Sequence, residues 1–307
     1  VGLFLLVVAA GAARYDGLLS AQVFLNLLID NAFLLVVAVG MTFVILAGGI
    51  DLSVGSVVAL STMIVATLVQ RHGWNPALAI GLVLVLGTLF GGGMGWLIAR
   101  YRLQPFIVTL AGMFLARGLC YLISIDSISI TDESYAAFAQ ARLELWDGAS
   151  ISTAGLISVG VLFLAIFVAH ATPFGRSIYA VGGDEGSARL MGLPVRGVTV
   201  GVYALSGFCS ALAGVLFTFY MLSGYGLHAV GLELDAIAAV VIGGTLLSGG
   251  VGYVVGTLFG VLMLGLIQTL ISFDGTLSSW WTRIVVGVLL LVFCLLQRVI
   301  SAKTARR

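Results

Sequence analysis

A glycine-rich break, Ala47-Gly48-Gly49-Ile50-Asp51-Leu52-Ser53-Val54-Gly55-Ser56, separates two long apolar runs in the first part of the chain. A related break in the second half is Ser248-Gly249-Gly250-Val251-Gly252-Tyr253-Val254-Val255-Gly256-Thr257. Each carries a glycine pair and, further on, a Val-Gly dipeptide followed by a small hydroxyl residue. Backbone that leaves a helix at membrane depth must be buried in protein or line a cavity, because lipid cannot satisfy its polar groups. The first glycine break (residues 47–56) and the second glycine break (residues 248–257) therefore predict a transport path.

The composition of the 307-residue chain is that of a membrane protein. Apolar residues make up 61% of it and charged residues only 9%, whereas an average soluble protein is roughly 25% charged. The mean hydropathy is +1.18. A net charge of +1 lacks the basic footprint of a protein that binds nucleic acid. The sequence thus predicts an all-α, polytopic membrane helix bundle, with a single transmembrane domain over residues 1–307.

Ten apolar segments have helical length or nearly so. They are residues 1–13, 32–48, 54–70, 77–98, 106–124, 152–170, 199–222, 235–247, 254–272 and 281–297. Segment 235–247 is short for a full span and is predicted to be a half-helix, and residues 20–31 are predicted to form a short interfacial helix. The first segment is shorter than the roughly 20 residues of a spanning helix, so we expect part of that helix to precede Val1.

The distribution of Lys and Arg predicts the orientation of the bundle. With ten spans both termini lie on one side, and the basic C-terminal tail assigns that side to the cytoplasm. Nine basic residues then lie inside: Arg100, Arg102, Arg176, Arg189, Arg196, Arg298, Lys303, Arg306 and Arg307. Only Arg14, Arg71 and Arg142 lie outside.

Polar residues near or inside the predicted spans are candidates for the path. Asp51 is costly at the bilayer centre, by on the order of 2.5–3.5 kcal/mol, so it either faces the path or, like Ser53, caps the following helix. Arg117 lies inside a span, so it is either a functional residue of the path or the partner of a carboxylate on a neighbouring helix. Asn31 has the chemistry to hold a neutral sugar but also suits helix packing, and Gln268 is a polar residue inside the ninth segment. The candidate path residues are Asn31, Gly48, Gly49, Asp51, Ser53, Arg117, Gly249, Gly250 and Gln268.

The polar stretch 171–198 is predicted to carry a docking element for a soluble partner. Asp184 or Ser187 is a suitable cap for a short helix near residues 185–191, and Gly192 is a suitable C-terminal glycine. The other long polar stretch, residues 125–150, is predicted to be the largest loop on the opposite side.

Catalytic chemistry is not indicated. The sequence contains no Walker A motif and no Ser-His-Asp arrangement, so ATP binding through a P-loop by this chain is excluded. The three histidines share no metal-ligand spacing, and the three cysteines lie in apolar runs. We expect neither a metal nor a cofactor, and we expect a transport subunit rather than an enzyme.

Three segments resemble the inner-membrane permeases of bacterial ABC importers for monosaccharides, of the ribose-permease type. They are Gly40 to Ser56 (GMTFVILAGGIDLSVGS), Phe174 to Gly192, and Glu233 to Gly252 (ELDAIAAVVIGGTLLSGGVG). The segment Gln268 to Thr282 (QTLISFDGTLSSWWT) is similar to the galactofuranose branch. The resemblance implies a multi-pass protein of the bacterial inner membrane.

The resemblance also implies partners. These are a second permease subunit in a homodimer or heterodimer, a cytoplasmic ABC ATPase, and a periplasmic sugar-binding protein. Residues 171–198 would then form the loop that couples ATP hydrolysis to helix movement. Its implied coupling residues are Phe174, Gly175, Arg176, Gly183, Asp184, Arg189 and Gly192.

Two other functions compete with this interpretation. An ion-coupled secondary sugar transporter also uses broken helices, but it needs intramembrane carboxylates for the coupling ion, and only Asp51 and Asp235 are candidates. A structural or receptor subunit would leave the two glycine breaks unexplained.

Overall fold

A computed structural model describes residues 2–15, 17–146, 148–274 and 280–304 of the chain. The described residues form fourteen α-helices. These are α1 Gly2–Ala12, α2 Ala21–Asp30, α3 Ala32–Leu46, α4 Val54–Ala66, α5 Pro76–Tyr101, α6 Pro105–Ile123, α7 Glu133–Gln140, α8 Thr153–Ala171, α9 Pro173–Gly183, α10 Glu185–Leu190, α11 Val195–Met221, α12 Leu232–Ile242, α13 Val254–Asp274 and α14 Trp280–Thr304. Four short strands, β1 Ile128–Ser129, β2 Arg142–Trp146, β3 Ala149–Ser152 and β4 Ser223–Gly224, pair as β1 with β4 and β2 with β3.

Each of the ten predicted apolar segments overlaps a helix, which confirms a membrane helix bundle, but a count of ten spans is not confirmed. Six described helices are long and apolar enough to cross a membrane: α4 with its π-helical extension Thr67–Arg71, α5, α6, α8, α11 and α13. Helices α2 and α3 meet at a bend of 61° and together form a seventh candidate. Helices α1 and α12 have only 11 residues each.

Helix α3 is the centre of the bundle. Apart from Phe33, all of its residues are buried, as expected of a helix that is apolar on every face. Helices α11, α12, α8 and α13 pack around it, and α11 also packs along α4 and α5. The lipid-facing helices α5, α6 and α8 are less buried and expose large apolar side chains.

The interface between α5 and α11 depends on small residues. A Cβ atom added to Gly91 of α5 would overlap the carbonyl oxygen of Tyr203, and one added to Gly207 of α11 would overlap the carbonyl oxygen of Gly87. The Cα atoms of Gly91 and Gly207 each lie 3.0 Å from the Cβ position of the other. Small residues allow two helix backbones to approach this closely within lipid.

Both polar stretches contain more structure than the sequence predicted. Residues 125–150 contain α7, which Asp132 caps by accepting a hydrogen bond from the Tyr135 N–H, and the hairpin strand β2. Residues 171–198 contain two helices rather than one. The missed helix α9 begins at Pro173 with Thr172 as its cap, and buries Gly175, Ile178 and Val181.

Two shorter segments were predicted to be helical, and both are. Residues 20–31 contain α2, capped by Ser20. Segment 235–247 overlaps the short helix α12, which begins earlier than predicted, at Leu232, and ends at Ile242, and the chain stays non-helical until α13 begins at Val254.

The helix contact between α5 and α11 can be tested with two glycines of α5. We expect Gly91→Leu to lower the free energy of unfolding by on the order of 3 kcal/mol, because the new side chain collides with the α11 backbone. Gly93→Leu is the matched control, since a Cβ atom at Gly93 meets no other atom within 4 Å. Thermal unfolding of the purified chain in detergent measures both effects. Equal stability of the two variants would contradict this packing.

Candidate functional site

The two glycine breaks meet at one end of the bundle, where α9 also ends. The Gly250 N–H donates a hydrogen bond of 2.9 Å to the carbonyl oxygen of Leu46, the last residue of α3. A Cβ atom on Gly249 would lie 2.9 Å from the Cα and the N of Gly48, and 2.9 Å from the carbonyl oxygen of Gly182. We call this contact of residues 46–49, 182–183 and 249–250 the glycine junction.

The glycine junction requires glycine for two reasons. Gly249 and Gly250 have φ angles of +86° and +74°, which residues with a Cβ atom adopt only at a cost. At Gly182 the reason is space, since a Cβ atom there would overlap the carbonyl oxygen of Leu46. The end of α9 is thus in direct backbone contact with both glycine breaks.

Side chains from neighbouring helices satisfy the non-helical backbone. Tyr203 of α11 donates to the carbonyl oxygen of Ile50 at 3.4 Å, and Tyr179 of α9 donates to that of Gly252 at 2.9 Å. A buried hydrogen bond of 2.7 Å between Thr42 and Thr257 joins α3 to α13 beside the junction. The carbonyl groups of Ile50 and Gly252 are therefore satisfied within the protein, as their position in a membrane bundle requires.

Asp51 is 1% exposed and lies between the first glycine break and α11. Its Oδ1 accepts hydrogen bonds from the Ser53 N–H at 2.9 Å and from the Ser53 hydroxyl at 2.6 Å. Its Oδ2 accepts a third from the Ser206 hydroxyl at 2.7 Å. Ser53 occupies the N-cap position of α4 but makes no capping hydrogen bond with its side chain. Asp51 is therefore a buried link between the break and α11, and Ser53 takes the predicted N-cap position without a side-chain cap.

A cavity of about 270 Å³ lies beside the first glycine break. Gly48 and Gly49 line it on one side, and α9, α10 and α11 contribute Val181, Arg189 and Arg196 on the other. Arg102, which follows α5, also reaches it. We call it the inner cavity. It places the predicted path residues Gly48 and Gly49 next to the predicted coupling segment.

Two residues of α9 predicted to be in the coupling loop hold α9 against its neighbours. A Cβ atom on Gly175 would overlap the carbonyl oxygens of Val168 and Ala169 at the end of α8. The ring of Phe174 lies against Gly201 of α11. Arg176, by contrast, is exposed.

The residues predicted around α10 form its ends and its surface. Asp184 caps the helix through the Ser187 N–H, and this hydrogen bond lowers the pKa of the Asp184 carboxyl. Arg189 forms an exposed ion pair with Glu185, one turn earlier. Gly192 follows α10 with a φ angle of +79°, as predicted for a C-terminal glycine. Gly183 is exposed, and a Cβ atom on it would meet no atom within 4 Å.

Three predicted path residues lie away from the glycine junction. Asn31 sits at the bend between α2 and α3, where it donates to the Leu27 carbonyl at 2.8 Å and packs against Gly265 of α13. Arg117 donates to the carbonyl oxygens of Gly226 and His228 at 2.6 and 2.8 Å. It therefore holds the turn before α12, and within the described residues no carboxylate forms the alternative ion pair with it.

Gln268 is exposed on α13 and lines a different cavity, described below.

The pKa of His228, in the turn that Arg117 holds, is lowered by burial and by the charge of that arginine.

Sequence reasoning missed Gly182, Tyr179, Tyr203 and Ser206, all of which contact or satisfy the breaks. One signal was present: Gly182-Gly183 is a glycine pair like those of the two breaks. The tyrosines and Ser206 carry no local signal, because only the fold brings α9 and α11 to these positions.

Replacement of Asp51 tests its structural role. Asp51→Ala leaves three buried donor groups without an acceptor, at about 1–3 kcal/mol for each group, so we expect little folded protein in the membrane. Asp51→Asn keeps an oxygen acceptor and should be milder, and Ser206→Ala removes only one donor. Size-exclusion chromatography of detergent extracts measures the folded fraction. Normal assembly of Asp51→Ala, with transport alone lost, would instead favour a role facing the path.

Comparison with known proteins identifies the family. A family model described as branched-chain amino acid transport system / permease component matches residues 23–294. The inner membrane ABC transporter permease protein YjfF of Escherichia coli K12 is 51% identical over 298 residues, which cover 97% of this chain and 90% of that protein. The fructose import permease protein FruG of Bifidobacterium longum is 40% identical, covering 98% and 90%. The ribose import permease protein RbsC of Bacillus subtilis is 40% identical, covering 98% and 92%.

No solved structure gives a significant match. The family model spans most of the chain, and the relatives match the chain over nearly its whole length. The chain therefore belongs to this family of transport-system permease components, and it is a membrane permease subunit rather than an enzyme.

Proposed function

We propose that this chain is the permease subunit of an ATP-driven importer for a monosaccharide. The observation that carries the proposal is its nearly full-length similarity to permeases named for fructose and ribose import. An ABC importer permease works with an ATP-hydrolysing subunit and a substrate-binding protein, so both are partners of this chain. The apolar helices and the inner-membrane relative make it a multi-pass protein of the inner membrane.

The end of the bundle with the glycine junction faces the cytoplasm in this proposal, as do both termini. Arg102, Arg176, Arg189 and Arg196 all lie at or near α9 and α10, and basic residues favour the cytoplasmic side. The chain contributes a single permease domain, and a second permease subunit, identical or different, completes the pore.

Helix α10 is the docking element for the ATPase. Leu190 and Met191 at its end are 91% and 68% exposed. Two adjacent large apolar side chains this exposed, on a surface that faces the cytoplasm in this proposal, suit contact with a soluble partner. The Arg189–Glu185 ion pair lies on the same exposed helix and provides a polar rim.

The glycine junction transmits a displacement of α9 and α10 to the glycine breaks that line the path. Gly182 touches the end of α3 and Gly249 touches Gly48, so no flexible side chain separates the three segments. Close-packed protein transmits displacement rather than absorbing it. A shift of α9 therefore moves both glycine breaks and changes the inner cavity, whose walls include Gly48 and Val181.

The geometry favours ATP-driven transport over ion coupling. The Asp51 carboxylate is already occupied by three protein donors. Asp235, the other candidate, lies near the start of α12, at the far end of that helix from the second glycine break. The two carboxylates thus do not form a shared ion site.

The sugar is proposed more narrowly from one segment. Gln268 to Thr282 is similar to the galactofuranose branch of these permeases, and this similarity is the support for galactofuranose as substrate. Residues 275–279 of the segment lie outside the described part of the chain.

Transport by the complete assembly tests the proposed function. We expect proteoliposomes with this chain, its ATPase and its second permease subunit to take up a monosaccharide only when ATP and the loaded binding protein are present. Vanadate should abolish uptake, because it arrests the ATPase. Galactofuranose, ribose, fructose and xylose are the sugars to compare. Uptake driven by a sodium or proton gradient without the ATPase would contradict the proposal.

Gly182 and Gly183 form a matched pair for testing coupling. We expect Gly182→Val to reduce uptake by about tenfold or more, because the side chain separates α9 from Leu46, while ATP hydrolysis continues. Gly183→Val places its Cβ atom where no other atom of the chain lies within 4 Å, and it should leave the backbone contact between Gly182 and Leu46 intact. The ratio of sugar transported to ATP hydrolysed is the measurement. An unchanged ratio in a correctly inserted Gly182→Val transporter would rule out transmission through the junction.

A further inference from the structure

A polar cavity of about 480 Å³ lies between α12, α13 and α14. Its polar and aromatic lining consists of Asp235, Gln268, Ser272, Trp280, Thr282 and Arg283. Helix α13 begins at Val254, close to the glycine junction, and Gln268 lies roughly 21 Å further along it at 1.5 Å per residue. The cavity is therefore near the other end of the bundle, and we call it the outer cavity.

The lining of the outer cavity combines acceptors and donors. A carboxylate only accepts hydrogen bonds, a guanidinium only donates them, and amides and hydroxyls do both. Asp235 and Arg283 both line the cavity, so it presents one carboxylate and one guanidinium rather than groups of a single charge. A neutral molecule with many hydroxyl groups matches this set.

Trp280 supplies the apolar surface that such a ligand also needs. Its side chain is 72% exposed, and an indole has a flat apolar face with a single polar N–H. A volume of about 480 Å³ lies within the roughly 300–1,000 Å³ of small-molecule sites.

The wall of the outer cavity is held in place from the turn before α12. Arg283 lies beside Gly231, where an added Cβ atom would be 3.2 Å from the Arg283 Nη1. Arg117 fixes the same turn through the carbonyls of Gly226 and His228. Arg117 thus holds the turn against which Arg283 lies, and so helps to fix this wall of the cavity.

We propose that the outer cavity is a docking site where a neutral monosaccharide binds as it enters the permease. The inference rests on the proposed function. It assigns Asp235, Gln268 and Arg283 as hydrogen-bonding residues and Trp280 as the stacking surface. The site is separate from the inner cavity and is exposed on the side opposite α9 and α10.

Cysteine labelling tests occupancy directly. Ser272→Cys places a thiol in the outer cavity, and the native Cys120 and Cys209 are buried while Cys294 is half-buried. In the assembled transporter in spheroplasts, we expect a membrane-impermeant maleimide to label Cys at this position. The transported sugar should slow labelling about tenfold once its concentration exceeds the dissociation constant by roughly that factor. Wild-type labelling gives the background.

Transport by matched variants provides the second measurement. We expect Asp235→Asn and Gln268→Ala to lower uptake at subsaturating sugar by about tenfold, since the first replaces an acceptor oxygen with a donor NH2 group and the second removes the amide. Thr269→Ala, on the same helix but outside the cavity lining, is the control and should transport normally. ATP hydrolysis stimulated by the loaded binding protein should persist in all three.

The outcomes separate this inference from the proposed function. If the wild-type transporter moves no monosaccharide, the proposed function fails. If it transports sugar but the sugar gives no protection at position 272, and the Asp235 and Gln268 variants transport normally, the docking site is wrong. Protection by sodium or a pH change alone, without sugar, would also overturn it, because it would indicate an ion site.

Discussion

A polypeptide backbone that leaves the helix within lipid must find its hydrogen-bond partners inside the protein. In this chain the two glycine breaks meet that requirement partly through each other, as the Gly250 N–H bonds the Leu46 carbonyl. Tyr203 and Tyr179 satisfy two further carbonyl groups. The end of α9 packs against both breaks at the glycine junction. Residues far apart in sequence therefore form one contact.

The two ends of the bundle have different structures that suit different steps of transport. At one end the backbones of three segments touch without intervening side chains, which suits the transmission of force. At the other end α12, α13 and α14 enclose a cavity of mixed polar side chains, which suits recognition of a hydroxyl-rich molecule. Helix α13 belongs to both ends and connects them.

Much of the fold was predictable from local signals, because apolar length and glycine pairs act over short distances in the sequence. Helix α10 with its cap Asp184 and the half-helix α12 followed from such signals. Helix α9 was missed because its apolar positions are interspersed with polar residues and glycines. The partners of Asp51 and Arg117 were also missed, since Ser206 lies 155 residues from Asp51 and Gly226 lies 109 residues from Arg117. Only the folded chain defines such pairs.

The glycine contact between α5 and α11 has a mechanical consequence for the whole subunit. Helices of 26 and 27 residues that touch backbone to backbone have no soft layer in which one can slide or tilt against the other. They form a fixed frame. Any motion within the subunit must therefore carry α5 and α11 together as one body.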